Sequence, residues 1–227
     1  MAALDRRTFL AAAAAVLAGC SSTKSSQRAA GGNPLAPSTP TMSVRSAITS
    51  VVMVGDSITE ASVAQLTAAL GEAGVDDARI EGKASRRIEV GNGNGSNPLS
   101  GVGTVFSLLV GGVDPSAWVI ALGTNDVGSY ADADQYGMLI AAITDMLPPT
   151  KPLVWVNTYR QQYLDDTLLF NMVLADRMSA RGNAVVADWY SVAAAPDQTV
   201  LRSDNLHPND NGKNALALLV LAALQQL

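Results

Sequence analysis

From Ser50 to the C terminus, short apolar runs alternate with longer stretches whose apolar positions follow a helical period. Val51–Val54, Ala117–Leu122, Leu153–Val156 and Ala184–Ala187 are compact runs rich in Val, Ile and Trp, bounded by Gly, Pro or Asp. Uninterrupted apolar character of that length predicts strands covered on both faces, as in a parallel sheet. Ala78–Gly82 is a weaker fifth strand. Between them the pattern predicts helices over Glu60–Ala73, Val102–Val110, Asp134–Leu147, Asp166–Ala180 and Gly212–Gln226. The last is rich in Ala and Leu but too short to cross a bilayer, and is expected to lie on the sheet. Strand and helix in repetition predict a doubly wound α/β sandwich. Ligands in such folds sit beyond the carboxyl ends of the strands, so chemistry is expected in the segments that follow strands.

The first residues follow a different logic. Asp5-Arg6-Arg7-Thr8-Phe9-Leu10 places paired arginines ahead of an Ala-rich apolar run, which ends at Leu17-Ala18-Gly19-Cys20. A run this short reads as a signal-peptide core, and the arginine pair suggests the twin-arginine export route. Small residues before a cysteine resemble a bacterial lipobox, with cleavage before Cys20 and a lipid on its thiol. A plain signal peptide with an incidental cysteine is the alternative. Cys20 is the only cysteine, so no intrachain disulfide can form, although exported proteins usually use cysteines in pairs. Residues 1–19 are therefore read as a signal peptide, 20–45 as the lipidated cysteine and a flexible Ser/Thr/Pro/Gly-rich linker, and 46–227 as one domain. The expected location is the outer face of the cytoplasmic membrane or the periplasm, anchored to the membrane by the lipid on Cys20.

Without residues 1–19 the chain carries 13 basic and 19 acidic residues, a formal charge of −6. That balance gives no reason to expect a nucleic-acid partner, which calls for a clustered basic surface. A single histidine and a single cysteine leave no metal-ligand cluster, and no cofactor motif is present. Gly91-Asn92-Gly93-Asn94-Gly95-Ser96-Asn97 lacks the Lys-Ser/Thr ending of a phosphate loop and reads as a loop beside the site.

Three motifs carry chemistry. Gly55-Asp56-Ser57-Ile58-Thr59 follows the first strand, where a serine can present its hydroxyl at a helix N-terminus or merely cap that helix. It is not a Gly-x-Ser-x-Gly elbow, because Thr59 stands where the second glycine belongs. Gly123-Thr124-Asn125-Asp126 follows the run Ala117–Leu122. Asn125 offers an amide for a developing oxyanion and Asp126 could orient that amide, though these residues also make ordinary turns. Asp204-Asn205-Leu206-His207-Pro208 holds the only histidine. A spacing of three lets the Asp204 carboxylate accept the Nδ1 proton and leaves Nε2 as a base. Together they supply a nucleophile, an oxyanion donor and an acid–base pair on one sheet edge.

In these three blocks and their order the chain resembles the SGNH (GDSL-type) hydrolases, over about residues 50–226. The resemblance implies a flavodoxin-like three-layer α/β/α sandwich with a parallel sheet of about five strands. It further implies Ser57 as nucleophile, Asp204 and His207 as the rest of a triad, and the Ser57 N–H and Asn125 as oxyanion donors. The family's second block departs here, reading Ile80-Glu81-Gly82-Lys83-Ala84-Ser85-Arg86-Arg87. By its distance after the strand, the remaining backbone donor falls at Arg86, with Gly82 as the alternative. The Lys83, Arg86 and Arg87 side chains are either a solvated turn or, for the two arginines, a match for a carboxylate-bearing acyl group such as succinyl. The Ser-Arg pair, Val156-Asn157-Thr158, Asn171 and Asp188-Trp189 look like the SGNH domains joined to membrane acyltransferases of cell-wall polysaccharides. The expectation is a monomeric esterase acting on a short acyl ester of an envelope glycan or glycolipid. An O-acyltransferase and a non-catalytic glycan-binding lipoprotein are the alternatives.

Overall fold

The computed structural model describes residues 48–90, 100–196 and 199–227. The signal peptide, Cys20, the whole linker and the Gly91–Asn97 loop lie outside the described residues. Five strands form one parallel sheet: β1 (Ser50–Gly55), β2 (Asp77–Gly82), β3 (Ala117–Ala121), β4 (Leu153–Val156) and β5 (Ala184–Ala187), in the order β2-β1-β3-β4-β5. Helices α1 (Ser57–Glu72), α2 (Gly101–Val110), α3 (Ala133–Thr144), α4 (Leu164–Arg181), α5 (Trp189–Ala194) and α6 (Asp210–Leu224) connect or follow them. The expected α/β/α sandwich with five parallel strands is the observed fold.

Period-two alternation divides the core between the two faces of the sheet. Val51, Met53, Val119 and Val154 point toward α1, α5 and α6, where they meet Leu66, Trp189 and Leu216. Val52, Val54, Trp118 and Trp155 point toward α2, α3 and α4, against Val105, Ile140 and Phe170. Trp155 is fully buried and its indole N–H donates to the Leu122 carbonyl at 3.0 Å, so the largest side chain of β4 leaves no orphaned donor. The edge strand β2 explains its faint signal in sequence. Ala78 and Ile80 pack inward, while Arg79 and Glu81 pair with each other at 2.8 Å on the open face.

Helix α1 starts just beyond the carboxyl end of β1, the other long helices start after intervening loops, and side-chain caps set several of those starts. Asp56 accepts from Ile58 N at 2.9 Å, Asp132 from Gln135 N at 2.9 Å and Asn209 from Gly212 N at 3.0 Å. Each such cap is typically worth about 1 kcal/mol. The Asp56 cap also moves the start of α1 from the expected Glu60 back to Ser57. At Gly82 the end of β2 runs so close to α1 that an added Cβ would lie 2.4 Å from the Glu60 backbone nitrogen. Gly82→Ala is expected to lower the unfolding free energy by roughly 1–3 kcal/mol through overpacking. Urea titration should show a lower midpoint at an unchanged slope. An unchanged midpoint would mean that the two elements separate freely.

Candidate active site

The buried Asp56 holds the turn between β1 and α1, which leaves Ser57 as the first residue of the helix. Its backbone N–H belongs to the first turn, whose donors have no intrahelical acceptor. The Ser57 hydroxyl lies 3.0 Å from His207 Nε2. On the other side of the ring, Nδ1 lies 2.9 Å from Asp204 Oδ2. Residues 150 positions apart are thus joined through one imidazole. With Nδ1 donating to the carboxylate, Nε2 is the acceptor that faces the serine.

The loop carrying Asp204 and His207 is closed on itself. Leu201 and Pro208 form an antiparallel bridge, Arg202 N donates to the His207 carbonyl at 2.8 Å, and Asn205 N donates to the Arg202 carbonyl at 3.0 Å. Asn205 takes a left-handed φ of 54°, a conformation asparagine tolerates better than most residues. Asp204 Oδ1 accepts from both Leu206 N and His207 N, at 3.0 and 2.9 Å. The backbone bond from His207, followed by the bond from its ring, holds the Asp204 carboxyl down at about 2. The group is therefore ionised across the whole useful pH range.

The second block forms a strap over the end of β1. Arg86 N closes a turn onto the Lys83 carbonyl at 3.2 Å, and Ser85 within that turn has a φ of 60°. The Arg86 carbonyl accepts from Asn125 Nδ2 at 3.1 Å, which ties the strap to the loop after β3 and leaves the second amide hydrogen of Asn125 available. Gly123 begins that loop with a φ of 128° against the Phe170 ring, where an added Cβ would come within 2.5 Å of the ring. Gly82, the other candidate donor, sits inside β2 opposite Gly55. The approach of α1 accounts for its lack of a side chain.

Two expectations change here. Asp126 does not orient Asn125. It is fully buried and accepts from Ile88 N at 3.1 Å and Arg87 Nε at 3.3 Å, so it anchors the far end of the strap. Nor do the arginines face a substrate carboxylate. The Arg86 guanidinium is turned inward onto the Gly55 and Glu81 carbonyls, where burial lowers its pKa. Arg87 is paired with Asp126 and lies over the Tyr130 ring. Burial pushes Asp56 and Asp126 up to about 6 each, against the opposing bonds from Ile58 N and Ile88 N.

Asn157, Thr158, Asn171 and Asp188, singled out in the sequence, form one hydrogen-bonded network, while Arg160, Gln161 and Gln162 beside it were missed. After β4, Asn157 accepts from Tyr190 N and donates to Asp188, and Thr158 exchanges two backbone bonds with the Asn171 amide, at 3.0 and 2.8 Å. Arg160 Nη1 donates to the Thr124 carbonyl at 2.8 Å while its guanidinium lies over the Tyr163 ring. Between this loop and the Asp204 loop lies a cleft of about 280 Å³, lined by Arg160, Gln161, Gln162, Asp204, Asn205 and Leu206. The only signal for it in sequence is that the segment follows a strand. Among the described residues no group of three or more His, Cys, Asp or Glu side chains could hold a metal ion.

The fold recurs in solved structures. The catalytic domain of peptidoglycan O-acetyltransferase A from Streptococcus pneumoniae is similar over 79% of this chain and 94% of its own, with a TM-score of 0.63 and 18% identity. A lipase/acylhydrolase from Enterococcus faecalis gives a TM-score of 0.60 at 17% identity, over 78% of this chain and 95% of its own. A family 3 carbohydrate esterase from Clostridium thermocellum gives 0.53 at 17% identity, over 78% and 98%. Compared by sequence with curated proteins, the chain matches none. Residues 53–215, the greater part of the chain, match the model of the GDSL-like lipase/acylhydrolase family, and the chain belongs to that family.

Proposed function

We propose that this protein is a serine esterase that removes a short, acetyl-like acyl group from an ester on a cell-envelope glycan or glycolipid. The observation that carries the reading is the imidazole of His207 held between Ser57 Oγ at 3.0 Å and Asp204 Oδ2 at 2.9 Å. Ser57 attacks the acyl carbonyl as Nε2 takes its proton, and the ionised Asp204 stabilises the imidazolium. The Ser57 N–H, the second Asn125 amide hydrogen and the Arg86 N–H, once released from Lys83, receive the oxyanion. The imidazolium then protonates the departing alcohol and leaves an acyl-Ser57, which water cleaves with His207 again acting as base. The nature of the similar proteins, a peptidoglycan O-acetyltransferase domain and a carbohydrate esterase, supports a sugar ester as substrate. The first of them also favours a second reading, in which a sugar hydroxyl replaces water as acceptor.

Ser57→Ala is expected to abolish release of p-nitrophenol from p-nitrophenyl acetate. Retention of the rate would remove the assignment of Ser57, whereas retention on cell-wall material with no labelling of Ser57 by a fluorophosphonate would favour a protein that only binds glycan. Asn125→Ala is expected to lower kcat about 100-fold or more, the usual effect of losing one oxyanion donor, with KM little altered. Supplying a glycan acceptor together with an acyl donor decides between transfer, which accumulates acylated sugar, and hydrolysis, which accumulates free acid.

Asp56 and Asp126 act in this reading as supports, the first under Ser57 and the second under the strap. Their folded values of about 6 lie above the ~3.9 of an unfolded aspartate. Between about pH 4 and 6 the native state therefore binds more protons than the unfolded one, and these two groups make stability fall as pH rises. Asp204, held at about 2, works in the opposite sense and loses its contribution as pH falls from about 4 toward 2. Asp126→Asn, compared with the parent by urea unfolding, should thus be relatively more stable at pH 7 than at pH 4.5. An equal difference at both pH values would show that Asp126 is not a buried titrating acid.

We also assign Cys20 as the lipid-bearing residue of an exported, membrane-anchored protein. In fractionated cells Cys20→Ser is expected to move the protein from the membrane to the soluble fraction. Equal partition of both forms would dismiss the anchor.

A further inference from the structure

We infer that the cleft between the loop after β4 and the Asp204 loop is the subsite for the alcohol half of the ester, built for an uncharged pyranoside ring; this rests on the esterase reading above. The position follows from the proton. His207 Nε2 has to hand its proton to the departing oxygen, so the alcohol must lie on the side of the histidine loop. The proposed oxyanion donors come instead from the start of α1 and the loops after β2 and β3. The cleft is walled by Asp204, Asn205 and Leu206 of that same histidine loop, and by Arg160, Gln161 and Gln162 opposite.

The chemistry follows from which polar groups there remain unengaged. Both Asp204 oxygens already accept bonds, two from backbone N–H groups and one from the ring. Arg160 is engaged with the Thr124 carbonyl and the Tyr163 ring, and so is poorly placed as a carboxylate receptor. By contrast, the side-chain amides of Gln161, Gln162 and Asn205 make no hydrogen bond among the described residues. The short 3₁₀ turn Gln161–Tyr163, closed by Tyr163 N on the Arg160 carbonyl at 3.0 Å, holds the two glutamines at the cleft. An amide both donates and accepts, as does each hydroxyl of a sugar. An acyl chain in the same place would strip water from these amides without replacing its bonds.

The test uses the full chain with Gln161 and Gln162 both replaced by alanine, at exposed positions outside the proposed catalytic machinery. We expect kcat/KM for O-acetylated chitotetraose to fall about tenfold, the effect of one or two lost hydrogen bonds, while p-nitrophenyl acetate is cleaved within about twofold of the parent rate. Unchanged rates on both esters, equal losses on both, or a parent that cleaves only the nitrophenyl ester would each overturn the sugar subsite and leave the esterase standing. A parent that cleaves no ester removes the underlying reading instead. Titration of unacetylated chitotetraose, followed by NMR, then decides the cleft on its own: weaker binding by the double variant supports it and equal or absent binding rejects it.

Discussion

A sheet in which all five strands run the same way gathers their carboxyl ends, and the helix N-termini that follow, along one edge. The proposed active site depends on that geometry. Ser57 follows β1, Arg86 follows β2, Asn125 follows β3, Arg160 follows β4, and the Asp204–His207 loop comes after β5 and α5. No single segment contains a site. The common strand direction assembles one from five loops far apart in sequence.

What keeps those loops in register is mostly hydrogen bonding to main-chain carbonyls. Asn125 holds the Arg86 carbonyl, Arg160 holds the Thr124 carbonyl, and the Arg86 guanidinium reaches back to Gly55 and Glu81. Side chains that look chemically eager in the sequence are here used as ties. A tie to a carbonyl fixes a backbone position and engages the guanidinium with the scaffold, while Asp204 is the charged group hydrogen-bonded to the imidazole among the described residues. The two buried aspartates complete the scheme from below, each binding the N–H of a residue that begins or supports a loop.

How much of this was legible in sequence depended on whether the information was local. Leu153–Val156 and Ala184–Ala187 were read to the residue because buried parallel strands are continuous apolar runs with sharp ends. Helix starts were read late at α1 and α6, since Asp56 and Asn209 recruit polar residues into the first turn ahead of the apolar period. The six-residue α5 was missed because it is too short to show a helical repeat. Ser57, His207 and Asp204 could be named from motif chemistry, and the structure brings them within hydrogen-bond reach. The direction of a side chain could not be read in the same way. Nothing in Arg86 or Asp126 says that one guanidinium turns under a strand end, or that the neighbouring carboxylate grips Ile88 instead of Asn125. Gln161 and Gln162 stayed invisible because two glutamines after a strand look like any solvated connection.

The Leu201–Pro208 bridge has a consequence for how such a site fails. It makes Asp204 and His207 a self-contained cassette, aligned by bonds that begin and end within eight residues. The link from that cassette to Ser57 is different in kind, since it spans most of the chain and is only as firm as the docking of α6 and the last loop on the sheet. Warming or mild denaturant would slacken this long-range seating first. Ser57 would then part from the imidazole while the secondary structure is intact and the ring still paired with Asp204, and the contact would return on cooling without refolding.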